Sequence, residues 1–166
     1  MAYVVDISVE EGLHDFAQES IAPECEWIAD ADTVTGYVCD LLGFLLGEVG
    51  ISGDVNISFS IVSTERIHQI NREFRGIDAP TDVLSFPCDD PGEVDGQPIE
   101  LGDIVICPEI ALEQSREYGN TYVEEFDLLV VHSFLHLLGY DHVEDDEAEV
   151  MERKQRELKD AWERNA

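Results

Sequence analysis

Residues 121–142 read TYVEEFDLLVVHSFLHLLGYDH, and their pattern sets the architecture. Thr121 and Glu124 form a capping-box pair that opens a helix. From Phe126 onward the apolar residues (Leu128, Leu129, Val130, Val131, Phe134, Leu135 and Leu137) fall on nearly every side of it. A helix that is apolar all round is a buried one, so this element belongs at the centre of the domain. Gly139 supplies the stop, because only glycine takes the left-handed conformation after a helix C-terminus without steric cost.

Outward from this helix the rest of the chain reads as layers. YVVDISVE (3–10) is an opening strand, and residues about 33–48 form an apolar helix that Gly36, Gly43 and Gly47 weaken. DVNISFSIV (54–62) alternates Val55, Ile57, Phe59 and Ile61 with Asn56, Ser58 and Ser60, the pattern of a strand with one buried face. Ser63 or Thr64 caps a short helix to about Arg72. VLSF, between Pro80 and Pro87, is a third strand, and residues 88–100 form a loop to a fourth, GDIVIC (102–107). Pro108 suits the first turn of a helix to about Tyr118, and residues 144–163 form a last helix. Its early acids and later Arg153, Lys154, Arg156 and Lys159 complement the helix dipole. Four strands with helices between and after them imply one α/β or α+β layered domain.

At 166 residues the chain is long enough for a core without staples. No apolar stretch is long enough to span a membrane, and no leader-like segment opens the chain, so a cytoplasmic protein is expected. Cys25, Cys39, Cys88 and Cys107 are scattered, as free thiols in a reducing compartment would be. Thirty-eight acidic residues against nine basic ones give a net charge of −29. Such a charge opposes a polyanionic partner at low salt. It suits a surface working in high salt, where the Debye length shrinks to roughly 3 Å at 1 M.

The same stretch that sets the fold carries His132, His136 and His142. Positions i and i+4 share one helix face, and the turn at Gly139 brings the third imidazole back towards the first two. Buried imidazoles favour the neutral form, and three of them converging suit Zn2+ with an open fourth position. Asp141 can accept a hydrogen bond from a ligand, or serve only as a turn residue. His14 and His68 read as surface residues. This spacing also occurs in H-E-x-x-H-x-x-G-x-x-H metalloproteases, where the glutamate is the general base. Here Ser133 takes that position, and Met151, the only internal methionine, lies in a charged helix. A metzincin-like protease is therefore the weaker alternative.

A second unusual stretch is NREFRGIDAPTDVLSFP (71–87), where Arg72 and Arg75, with nearby Arg66, concentrate a third of the positive charge. Arg75 can offer a bidentate fork to a phosphate, or pair with one of the many carboxylates. At this point the sequence resembles the YbeY family of bacterial metal-dependent endoribonucleases. His132–His142 is similar to that family's H-G-x-L-H-L-x-G-Y-D-H signature, with Ser133 at the usual glycine. Residues 71–87 resemble its second block, and LGDIVICPE (101–109) a third.

The resemblance covers residue 50 to the end well and the first fifty residues loosely. It implies a single α+β domain over 1–166, with a small four-stranded mixed sheet, about five helices and a zinc site on the central helix and the turn after it. It implies cleavage of single-stranded RNA, in maturation of the 3′ end of small-subunit rRNA and in ribosome quality control. His132, His136 and His142 are then the metal ligands, with His132 and Arg75 catalytic. Expected partners are rRNA, the small ribosomal subunit and an assembly GTPase, with no DNA and no membrane. Asp141, Asp103 and Glu109 are candidates for a general base, and the pocket is expected between the histidine helix and residues 71–87. A non-catalytic ribosome-assembly factor with a structural metal is the other alternative.

Overall fold

The computed structural model describes residues 3–10, 30–51, 53–88 and 97–165. Strand β1 (Tyr3–Val9) and helix α1 (Ala31–Glu48) precede strand β2 (Val55–Ile61) and helix α2 (Thr64–Arg75). Strands β3 (Val83–Pro87) and β4 (Ile99–Ile106) follow, then helices α3 (Pro108–Tyr118), α4 (Tyr122–Leu137) and α5 (Asp145–Asn165). Among the described residues this is the expected α+β arrangement of four strands and five helices. His14, Cys25 and most of the 88–100 loop lie outside the described residues.

The sheet order is β1-β2-β4-β3, with the first three strands parallel and β3 antiparallel at one edge. Parallel neighbours need long crossovers, and the helix-bearing segments before β2 and before β4 supply them. Along β2 the alternation read from the sequence is the alternation of burial. Val55, Ile57, Phe59 and Ile61 face the main core, with Leu41, Leu42 and Leu45 of α1 and Phe126, Val130 and Phe134 of α4. Truncating one of those phenylalanines costs roughly 3–5 kcal/mol. Successive β4 residues point to opposite faces. Ile104 and Ile106 therefore join the main core, whereas Val105 and Cys107 meet Leu84, Ile67 and Ile70 in a smaller one under α2. Helices α2 and α4 thus cover opposite faces of the sheet.

Two boundaries differ from the sequence reading by three residues, the others by two or fewer. Helix α2 runs to Arg75 rather than Arg72, since nothing between them breaks a helix. Strand β4 begins at Ile99, ahead of the glycine, because Ile99 and Glu100 pair with Val55 and Asn56 across an irregularity in register. The side chains reinforce that pair, Asn56 Nδ2 donating to Glu100 Oε1 at 2.8 Å.

Helix α4 is buried almost throughout, and the polar residues caught in it are paired. Thr121 Oγ1 accepts from the Glu124 amide at 3.2 Å, and Glu125 accepts from Asn120 Nδ2 at 3.2 Å. Asp127 accepts from the Tyr37 hydroxyl at 2.6 Å, and burial lifts its carboxyl pKa from 3.8 to about 6. At its far end α4 lies close to the sheet. A Cβ on Gly102 would stand 2.2 Å from the Phe86 carbonyl oxygen and 3.1 Å from Leu137 Cδ2. The absence of that side chain lets the end of α4 settle against β3.

Candidate active site

The end of α4 is built to return the chain. Gly139, at φ 98°, occupies the left-handed position, the Gly139 amide donates to His136 O and the Tyr140 amide to Leu135 O. These are the paired bonds of a Schellman cap. The turn leaves the Tyr140 carbonyl 2.9 Å from His136 Nδ1. A carbonyl only accepts, so Nδ1 carries the ring proton and Nε2 an open lone pair.

His132 and His136 stand one helical turn apart, with their Nε2 atoms 3.1 Å from each other. His132 Nδ1 lies 2.8 Å from Gln155 Oε1 on α5. His142 follows the turn, and one ligand nitrogen from each ring lies within 4.8 Å of the others. Two nitrogens bound tetrahedrally to one Zn2+ at roughly 2.0–2.1 Å are about 3.4 Å apart, close to the 3.1 Å between His132 and His136. His142 is the outlying member, and its 60% exposed side chain has room to move in. Burial first, and then the neighbouring His132, hold the pKa of His136 below the ordinary imidazole value. The neutral form that binds metals is thereby favoured. The donor set therefore fits a zinc-like ion.

Arg75 enters from the other side of the sheet. It ends α2 and reaches the exposed side of β3, where its Nη2 donates to the Ser85 carbonyl at 2.9 Å. Its guanidinium carbon stands 5.7 Å from the centre of the Phe86 ring. An edge strand leaves carbonyls unpaired, and this one fixes the arginine. Arg75, Ser85, Pro87, His136, Asp141 and His142 line one cavity of about 540 Å³. The expected pocket between the histidine helix and residues 71–87 is this cavity. Among the described residues Arg75 forms no ion pair with a carboxylate.

The other sequence candidates separate. Arg72 shares the last turn of α2 with Arg75, but Arg66 begins that helix, nine residues and about 13 Å away along its axis. The basic focus is thus narrower than the sequence suggests. Asp141 stays at the cavity, accepting from the His142 amide at 2.7 Å. Its carboxylate lies 3.7 Å from His142 Nδ1, beyond a hydrogen bond. Asp103, next to Gly102, points to the face of β4 away from α4. Glu109 accepts from the Thr64 amide at 3.4 Å, beyond the far end of β4 from Gly102 and Pro87. Neither lines this cavity. Ser133 is buried, with its hydroxyl donating to Leu129 O at 2.6 Å. His68 is a surface residue paired with Asp78 at 2.8 Å. Cys39 and Cys107 are free thiols.

Three groups at the site were not read from the sequence. The carbonyls of Tyr140 and Ser85 carry no residue-type signal. Gln155 does carry one, since it interrupts an apolar stripe of Met151, Leu158 and Trp162 at helical spacing.

A family model described as Endoribonuclease YbeY matches residues 24–163. Among curated proteins, Endoribonuclease YbeY of Bacillus subtilis (strain 168) is 45% identical over 129 residues, covering 74% of this chain and 82% of that protein. Endoribonuclease YbeY of Bacillus licheniformis is 44% identical over 124 residues, 71% of this chain and 78% of the relative. The solution structure of TM1509 from Thermotoga maritima (VT1, a NESGC target protein) superposes with a TM-score of 0.57 at 31% identity. That likeness spans 98% of this chain and 93% of the other.

Proposed function

We propose, since this chain belongs to the Endoribonuclease YbeY family, that it is an endoribonuclease cutting single-stranded RNA in the cavity lined by Arg75, His136 and His142. The observation that carries the reading is the meeting of Arg75 with His136 and His142 in that one cavity, from elements that cover opposite faces of the sheet. His132, His136 and His142 are the residues that would hold Zn2+. When bound, the ion supplies Lewis acidity toward a phosphoryl oxygen and activates water.

The chain's own groups do the rest. Arg75, held at its carbonyl anchor, receives the scissile phosphate, and its contact strengthens as charge builds on the oxygens. Phe74 is 66% exposed beside it, its ring 5.7 Å from that of Phe86. It offers a face on which an unpaired base stacks, a contact worth roughly 1–3 kcal/mol. Paired bases have no free face to give, which favours single strands over duplex. Asp141 is the carboxylate at the cavity that can take a proton.

The alternatives fit less well. At the position of a protease's glutamate, Ser133 is turned into the core and bonded to its own helix. A purely structural metal would sit in a closed site, whereas this cluster opens on a cavity. By the same family reading the RNA is the 3′ region of small-subunit rRNA, met beside the small ribosomal subunit and an assembly GTPase in the cytoplasm. No helix among the described residues is long and apolar enough to cross a membrane.

The test is cleavage of a labelled single-stranded RNA by the wild type, His136→Ala and Arg75→Ala. Both variants should lose cleavage while keeping the wild-type circular dichroism spectrum. Arg75→Ala should retain bound metal, and cleavage at the wild-type rate by either variant would overturn the reading.

A further inference from the structure

We infer that Gln155 is a positioning residue of the histidine site: its side-chain oxygen holds His132 in the tautomer whose Nε2 is free to bind a cation. The inference rests on the reading of the cluster as a metal site, but its observations lie in α5.

Along α5, Met151 and Leu158 are buried to 1% exposure and Trp162 packs against the core. Gln155 falls four residues after Met151 and three before Leu158, on the same inward face. Placing an amide in such a stripe costs its desolvation unless it is paired. The pairing is specific: Oε1 lies 2.8 Å from His132 Nδ1. An amide oxygen only accepts, so the ring proton sits on Nδ1 and the Nε2 lone pair is left open.

His136 reaches the same state through the Tyr140 carbonyl. The two Nε2 lone pairs therefore face each other across 3.1 Å, an arrangement that repels until an electrophile joins them. The two holders differ in kind. The Tyr140 carbonyl is fixed by the helix cap, whereas an amide can turn over. A reversed Gln155 would donate to Nδ1 and move the ring proton to Nε2, removing His132 as a ligand. The orientation of this one amide thus decides whether the cluster is competent. Met151 and Leu158 keep α5 seated, and α5 keeps the amide in place.

The experiment uses the full chain as wild type, Gln155→Leu and Gln155→Glu. Zn2+ affinity is measured by competition with a chromophoric chelator. The His132 tautomer is read by two-bond 1H–15N NMR on metal-free protein at about pH 8, above the ordinary imidazole pKa. Gln155→Leu should weaken Zn2+ binding by roughly 10–100-fold and shift the His132 proton to Nε2. Gln155→Glu, which keeps an acceptor, should restore both. Thermal unfolding of the metal-free forms reports any loosening of α5 on its own. Wild-type affinity and tautomer in Gln155→Leu would overturn the proposal, and so would a Gln155→Glu no better than Gln155→Leu. If Zn2+ binding follows Gln155 while RNA stays intact, the nuclease reading fails and the positioning role stands.

Discussion

Replacing Gly102 by alanine would place a methyl group 2.2 Å from the Phe86 carbonyl oxygen and 3.1 Å from Leu137 Cδ2. The nearer obstacle is backbone, so β3 itself must move. Gly102 also sits at φ 130°, where a side chain is strained by about 1–3 kcal/mol. Forcing an extra methyl into packed surroundings adds another 1–3 kcal/mol or so. At about 2–4 °C per kcal/mol for a domain of this size, the melting temperature should fall on the order of 10 °C. Gly36 is the control: it is exposed in α1, and a methyl group added there would meet nothing within 4 Å. Gly36→Ala should therefore gain roughly 0.5–1 kcal/mol from helix propensity alone. Scanning calorimetry of both variants makes the comparison. The shift of β3 also displaces the Ser85 carbonyl that anchors Arg75, so RNA cleavage should drop further than the folded fraction. A Gly102→Ala protein that melts with the wild type would refute the claim that close approach fixes the site.

Other consequences follow from the same geometry. The Asp127 carboxyl titrates near 6 in the folded protein against an ordinary 3.8, so the native state holds the extra proton between those values. Its contribution is present below about pH 4 and lost as pH rises through 6, a swing of roughly 3 kcal/mol. Asp127→Asn, which still accepts from Tyr37, should lack that swing, and parallel urea titrations at several pH values check it. Arg75→Lys loses both the fork and the Ser85 anchor. Its kcat should fall by about 10²–10³ with Zn2+ affinity unchanged, and an unaltered kcat would remove Arg75 from the transition state. Because protein and RNA are both strongly negative, kcat/KM should rise as salt goes from about 0.01 to 1 M and the Debye length shrinks from roughly 30 to 3 Å. A steady fall with salt, as for a basic nuclease, would show that repulsion is not limiting.

The layers and the histidine trio were legible because they rest on periodicity: alternation in residues 54–62, all-round apolarity in α4, and a helical i, i+4 pair closed by a glycine turn. What escaped depends on contacts between distant segments. The start of β4 was hidden because Gly102 reads as a strand boundary, whereas in the fold it serves the approach of α4. Three arginines looked like one focus until α2, running to Arg75, spread Arg66 about 13 Å from it. Asp103 and Glu109 were candidates by residue type alone, and the fold sets both outside the lining of the cavity, with Glu109 bound to the Thr64 amide. The anchors of His136 and Arg75 are main-chain oxygens, for which no residue type is a signal. Gln155 was the exception, an amide in an apolar stripe whose meaning emerged only with its partner across the α4–α5 contact.

The central claim is that RNA is cut where Arg75 and the histidine cluster share a cavity and hold a metal. It is tested most directly by stripping the purified protein of metal and following cleavage of single-stranded RNA as Zn2+ is returned. Cleavage should vanish on stripping and return as about one ion per chain is bound. RNA cut at the same rate before and after stripping, or intact at every zinc and salt concentration, would contradict it.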